Sequence, residues 1–228
     1  MYKQLVLCDF DGTITIEDVT DEILKKFASR NWINIGQKYL RGEIYHSEMN
    51  KRFTEIVNVT PLVLRNYLRL NIHIRKNFYS FLKFLIKKGI PLVIISSGWD
   101  FYIREILSMK GMFFLKTIND LEVIDYKHIN IISNKIYFNN KLKGWGISFP
   151  WVNYSCKISS PCKGLIAEFL REKCADKIVT IGNSSTDLCM VENSDQVFCT
   201  GELTKICLER GIASKHFDSF KELELSFD

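Results

Sequence analysis

The apolar positions of this chain alternate between short unbroken runs and longer stretches with a helical period. Leu5-Val6-Leu7-Cys8 is the first unbroken run, and it stops abruptly on Asp9-Phe10-Asp11-Gly12-Thr13. Runs of this kind predict strands covered on both faces, as in a parallel sheet. Gly89–Ile95, Lys177–Ile181 and Gln196–Cys199 have the same character. Between the first two runs the pattern is helical from about Glu17 to Lys88. Ile23, Leu24 and Phe27, then Ile56, Val57, Leu64, Tyr67 and Leu68, recur three or four residues apart, and Pro61 follows Thr60 at a natural helix start. Phe78, Phe81, Leu82 and Leu85 predict a helix that Gly89 caps, and Phe101, Ile103, Ile106 and Leu107 predict another beyond Asp100. From Pro161 a helix through Leu165, Ile166, Phe169 and Leu170 leads into the third strand, and a last helix is expected near Leu203–Arg210.

This rhythm of strand and helix predicts a doubly wound α/β fold, a three-layer sandwich around a mostly parallel sheet. Residues 16–86 are too many for a simple crossover, so they are expected to form a helical cap over the end of the first strand. Residues 1–15 and 87–228 would form the core. The segment 111–155 has no clean period; Ile129–Ile132 reads as a strand, and Ile136–Phe138 with Ile147–Phe149 as antiparallel pieces or a hairpin.

Composition narrows the class. At 228 residues, with 46% hydrophobic and 25% charged residues, the chain suits one sizeable core or a core with a small attachment. No apolar run approaches the ~20 residues that span a bilayer. The seven scattered cysteines fit a reducing, cytoplasmic setting better than a disulfide framework. The net charge of +5 is spread over short lysine pairs, without the basic block of a nucleic-acid arm. A soluble enzyme of small molecules is the expectation, with neither nucleic acid nor membrane as partner; a homodimer is compatible with it.

Asp9 and Asp11, Ser96-Ser97-Gly98, and Asn183 to Asp187 each follow a buried-type strand, and such strand ends converge on one crevice. Lys163 opens the helix that leads into the third strand and can reach the same end. Taken alone, Asp9 and Asp11 could be an ordinary polar turn, and Lys163 a solvated lysine. Gathered together, carboxylates, hydroxyls and an ammonium suit a phosphate with a hard divalent cation such as Mg²⁺.

In this order the motifs resemble those of the haloacid dehalogenase superfamily of phosphatases. Asp9-Phe10-Asp11-Gly12-Thr13 is similar to its first motif, Ser96 to the second, Lys163 to the third and Gly182-Asn183-Ser184-Ser185-Thr186-Asp187 to the fourth. The helical insert resembles the phosphoserine-phosphatase-like branch. Asp-Gly-Thr-Ile-Thr, Ser-x-Gly-x-Asp-Phe and Pro-Cys-Lys are closest to the methionine-salvage phosphatases of a keto-enol phosphate. The resemblance implies a Mg²⁺-dependent phosphomonoesterase for a small phosphorylated metabolite. Asp9 would be the nucleophile, forming an aspartyl-phosphate, and Asp11 the general acid and base. Thr13, Ser96, Ser97 and Lys163 would serve the phosphate, Thr13 also orienting Asp11. Asp9, Asp11, Asn183 and Asp187 would hold the metal. Asp18, and at most Arg52, would read the rest of the substrate, although a solvated helix position suits Arg52 better. Asn183 stands where the family has an aspartate, which removes one negative charge from the cation site. The alternative is therefore a relative that binds a phosphorylated ligand, or transfers its phosphoryl group, with weakened hydrolysis. Cys156, Cys162 and Cys174 match no zinc spacing and read as idle thiols. His46, His73, His128 and His216 read as surface or core residues, and Trp99 and Trp145 as core.

Overall fold

The computed structural model describes residues 1–227. In chain order its elements are β1 (Leu5–Cys8), α1 (Val19–Phe27), α2 (Trp32–Leu40), α3 (His46–Ile56), α4 (Pro61–Asn71), α5 (Phe78–Lys88), β2 (Leu92–Trp99), α6 (Asp100–Met109) and β3 (Leu115–Thr117). There follow β4 (Ile129–Asn139), β5 (Gly144–Ser148), α7 (Lys163–Lys173), β6 (Ile178–Gly182), α8 (Leu188–Val191), β7 (Gln196–Cys199), α9 (Gly201–Glu209), β8 (Lys215–His216) and α10 (Lys221–Glu224).

The sheet runs β3-β4-β2-β1-β6-β7-β8, all parallel along this path, with β5 antiparallel on β4. β1 lies at its centre, which is why its four residues are wholly buried. The alternation of a strand sends Val6 and Cys8 to one face and Leu5 and Leu7 to the other. The first pair joins a large core with Phe78, Phe81 and Leu85 of α5 and Ile103 and Leu107 of α6. The second pair packs on Ile166, Ala167 and Leu170 of α7. Two apolar faces on one sheet make the three-layer α/β fold that the runs predict.

The stretch between β1 and β2 holds five helices, as its periodicity requires. The expected limit of the cap at residue 86 falls inside α5, whose Phe81 ring sits 5.4 Å from Phe220 and 5.7 Å from Phe227. Two boundaries differ instructively. β2 does not stop at Ile95 but runs on through Ser96-Ser97-Gly98 to Trp99, because it keeps pairing with β4 across a register shift. The expected turn into a helix is therefore an irregular strand end. β4 likewise outruns the apolar run Ile129–Ile132: buried Ser133 and Asn134 carry it on to Lys135–Asn139, which pairs with β5 in the antiparallel hairpin expected of Ile136–Phe138 and Ile147–Phe149. That hairpin carries Trp145, whose indole donates to the Val59 carbonyl at 2.8 Å, so it touches the helical insert.

Candidate active site

The apolar run ends at Cys8 because the next residues must bend. Gly12 takes φ +71°, a left-handed conformation that other residues adopt only with strain. Arg75, from the α4–α5 connection, donates to the carbonyls of Gly12 and Thr13 at 2.8 Å each and fixes the loop. A cavity of about 610 Å³ opens over it, lined by Asp9, Asp11, Asp18, Ser97, Lys163 and Asn183 below and by residues of α2 and α3 above.

Asp9 is 5% exposed, and its Oδ1 accepts from Lys163 Nζ at 2.6 Å. Lys163 donates at the same distance to Asp187 Oδ1 and is 1% exposed. Burial pushes the Asp9 carboxyl up to about 7, helped by the charge of Asp187 and opposed by Lys163. Burial works against the Lys163 ammonium, but Asp187 and Asp9 outweigh it and hold its pKa above the ordinary value. Asp11 is tied differently. Its Oδ2 accepts from Tyr102 Oη at 2.6 Å and from Ser96 Oγ at 3.2 Å, and its Oδ1 from the Val19 amide at 3.1 Å. Burial, then the charges of Asp18 and Asp9, hold Asp11 well above the ordinary carboxylate range. Two neighbouring carboxyls thus sit in different surroundings, the arrangement that divides roles between acid and nucleophile.

Ser97 lines the cavity with a buried hydroxyl that has no partner among the described residues, and its carbonyl accepts from Asn134 Nδ2 at 2.7 Å. Asn183 Oδ1 is likewise buried and unpartnered. A buried polar atom left without a partner is costly, so both atoms suit a ligand. Asp18 caps α1, accepting from the Asp21 amide at 2.9 Å, and burial followed by the Asp21 charge raises it to about 6.

Four of the residues singled out in the sequence do not line the cavity. Besides Lys163, Asp187 accepts from the amides of Asn183 and Ser184, so both its oxygens are engaged. Ser96 is wholly buried, bonded to Asp11 and to the Gly98 amide, and orients the loop instead of facing the cavity. Thr13 Oγ1 is buried without a partner and does not bond Asp11, which Tyr102 orients instead. Arg52 pairs with Glu48 at 2.8 Å and lies outside this cavity, as a solvated helix position implies.

Sequence reasoning missed Tyr102, Arg75, His46 and Asn50. A signal for Tyr102 lay in Gly98: a Cβ there would stand 1.5 Å from Tyr102 Oη and 2.7 Å from Asp11 Oδ2. Gly98→Ala should therefore displace the tyrosine, destabilise the fold by about 1–3 kcal/mol and lower turnover more than tenfold. A thermal melt alongside a phosphatase assay checks both. Wild-type values would mean the tyrosine is free to move without consequence.

Strand ends that gather an acid pair, a buried lysine and a serine loop are those of a phosphatase. More narrowly, residues 4–200 match the family described as "Putative Phosphatase", and the chain belongs to that family. It is 30% identical over 227 residues to the 2-hydroxy-3-keto-5-methylthiopentenyl-1-phosphate phosphatase of Geobacillus kaustophilus, covering 96% of this chain and 94% of that one. The Bacillus pumilus enzyme of the same name is 28% identical over 232 residues, covering 100% and 92%. Among solved structures, a phospho-aspartyl intermediate analogue of phosphoserine phosphatase superposes with TM-score 0.70 at 14% identity, covering all of both chains. A HAD family hydrolase from Salmonella enterica serovar Typhi also gives 0.70, at 17% identity, covering 97% of this chain and 70% of that one. These likenesses are of fold.

Proposed function

We propose that this phosphatase is a Mg²⁺-dependent, cytoplasmic phosphomonoesterase that works through a phosphoryl group carried on Asp9, with residues 16–86 supplying a cap that selects a substrate with an apolar tail. The observation that carries the tail is the cavity wall. Trp32, Ile33, Leu40, Met49 and Phe53 line its cap side, and Lys163, engaged by two carboxylates, is the one cation among the lining residues. A substrate whose far end is a carboxylate would find Asp18 and Asp21 there instead of a base. The relatives' substrate, by its name, has a methylthio end and oxygens between that end and the phosphate, which suits this wall.

In the first half-reaction Asp9 attacks phosphorus in line as the ester P–O bond breaks, and Asp11, protonated in its buried site, gives its proton to the leaving oxygen. In the second, Asp11 takes a proton from water as that water attacks the phosphoryl-Asp9 bond, releasing inorganic phosphate and restoring both residues. Lys163 and the Ser97 hydroxyl offset the negative charge that builds on the phosphoryl oxygens. No three His, Cys, Asp or Glu side chains gather as a metal group among the described residues, so a cation would rest on Asp9, the Asp11 backbone and the orphaned Asn183 Oδ1. Such a set, mostly neutral, fits a cation that keeps waters and shares the substrate's phosphate, as Mg²⁺ does. Bound there, Mg²⁺ supplies charge neutralisation between Asp9 and the phosphate.

Asn183 decides between hydrolysis and the alternative of a binder or phosphotransferase with weak turnover. Asn183→Asp should lower the half-saturating Mg²⁺ concentration about tenfold, since a charge-assisted contact exceeds a neutral one by about 1.5 kcal/mol. It should also enlarge the rise in melting temperature on adding Mg²⁺. An unchanged Mg²⁺ dependence by both measures would remove Asn183 from the cation site. A panel of phosphate monoesters with and without Mg²⁺ tests the function itself, apolar-tailed esters being expected to surpass phosphoserine.

A further inference from the structure

His46 lies on α3 in the cavity wall, 6% exposed, and the fold dictates where its proton sits. Trp99 Nε1–H can only donate, and it lies 3.1 Å from Asn50 Oδ1. That contact orients the Asn50 amide and turns its nitrogen the other way, 3.2 Å from His46 Nδ1 and 3.4 Å from the Ser97 carbonyl. An amide nitrogen donates and has no lone pair to offer, so Nδ1 must be the accepting nitrogen of the ring. The proton is then on Nε2. Burial, followed by the charge of Lys163, lowers the imidazole pKa to about 4, so the ring is neutral in the working range. The edge of Tyr39, with ring centroids 5.4 Å apart, holds its plane. Nε2–H has no hydrogen-bond acceptor among the described residues.

The result is a fixed, neutral donor in the cavity wall, carried by the same asparagine that bonds the Ser97 carbonyl beside the phosphate loop. We propose that His46 is a specificity-determining residue whose Nε2–H donates to an oxygen, carbonyl or hydroxyl, that the substrate carries next to its phosphoester carbon. This rests on the phosphatase reading and adds the chemical class of its substrate: a phosphate monoester with an acceptor oxygen on the neighbouring carbon. A site built to hydrogen-bond such an oxygen discriminates against an analogue lacking it, because the buried donor is then left unpaired.

The test compares dihydroxyacetone phosphate with n-propyl phosphate, which lacks that oxygen, under saturating Mg²⁺. Wild type should favour the keto ester in kcat/KM, and His46→Leu should lower that preference about tenfold. His46→Gln, which retains an N–H at a similar reach, should restore most of it. Trp99→Phe, which frees the Asn50 amide to turn over, should fall between. The ring ¹⁵N spectrum of ligand-free protein should place the proton of His46 on Nε2, and it decides the matter even if a variant fails to fold. A proton on Nδ1, a wild-type preference near one, or a preference that survives His46→Leu would each overturn the inference while leaving the phosphatase reading intact. Hydrolysis of neither ester would bring down both.

Discussion

Asp9→Asn should fold normally and lose phosphatase activity by at least about a thousandfold, because an amide neither attacks phosphorus nor carries the charge a cation needs. The same change should raise the melting temperature at pH 8 in the presence of a chelator. The sign follows from burial. Asp9 titrates at about 7 in the folded protein against an ordinary 3.8, so its contribution to folding is favourable below about pH 4 and is lost as pH rises through 7. An ionised Asp9 is therefore a strain on the cation-free fold at pH 8, and a neutral asparagine relieves it. Activity within tenfold of wild type would displace Asp9 as the nucleophile. A melting temperature that falls at pH 8 would mean that Lys163 offsets the burial of the carboxylate in full.

The second large effect is expected at Lys163. Its ammonium lies 2.6 Å from both Asp9 and Asp187, and none of the three is more than 5% exposed. Lys163→Met removes the cation and leaves two buried carboxylates facing each other, a loss of about 3–5 kcal/mol. With its main lowering neighbour gone, Asp9 rises further, so the loss should be greater at pH 8 than at pH 5. Lys163→Arg keeps the charge but must fit a wider head into a closed site, and should fall between. Chemical denaturation of the three proteins at both pH values measures this. A pH-independent loss would trace the damage to packing and not to charge.

Much of this site was legible in the sequence because chemistry and strand ends coincide. Asp9, Asp11, Ser97, Lys163 and Asn183 each stand within three residues of an apolar run or a helix start, and parallel strands carry such ends to one edge. What sequence could not resolve was which oxygen faces which partner. Ser96 and Ser97 are adjacent, yet the hydroxyl of one is bonded to Asp11 and that of the other is buried without a partner, since neighbouring side chains of a strand point opposite ways. Asp187 reads as a ligand from its motif, but two amides three and four residues back close a local capping turn on it, and tertiary folding adds the lysine. Arg75 and Tyr102 carried no pattern, since one is a single arginine in a connection and the other fills a helix position that core packing explains equally well. β4 read as two separate pieces because buried polar residues, Ser133 and Asn134, interrupt its apolar pattern, and the hydrogen bonds that Asn134 makes there come from tertiary folding.

The central place of β1 has a consequence for the order in which the molecule can assemble. Its residues are synthesised before both of its pairing partners, β2, formed by Leu92–Trp99, and β6, formed by Ile178–Gly182. A strand of four apolar residues gains little until both edges are satisfied, so Asp9 waits for the lysine and the second strand, both far along the chain, that complete its surroundings. The helices that follow β1 need no such delay, being built from near neighbours in the chain. Nascent chains halted before Ile178 should thus carry a formed helical insert beside an exposed, sticky first strand, and that species is the one chaperones would be called on to hold.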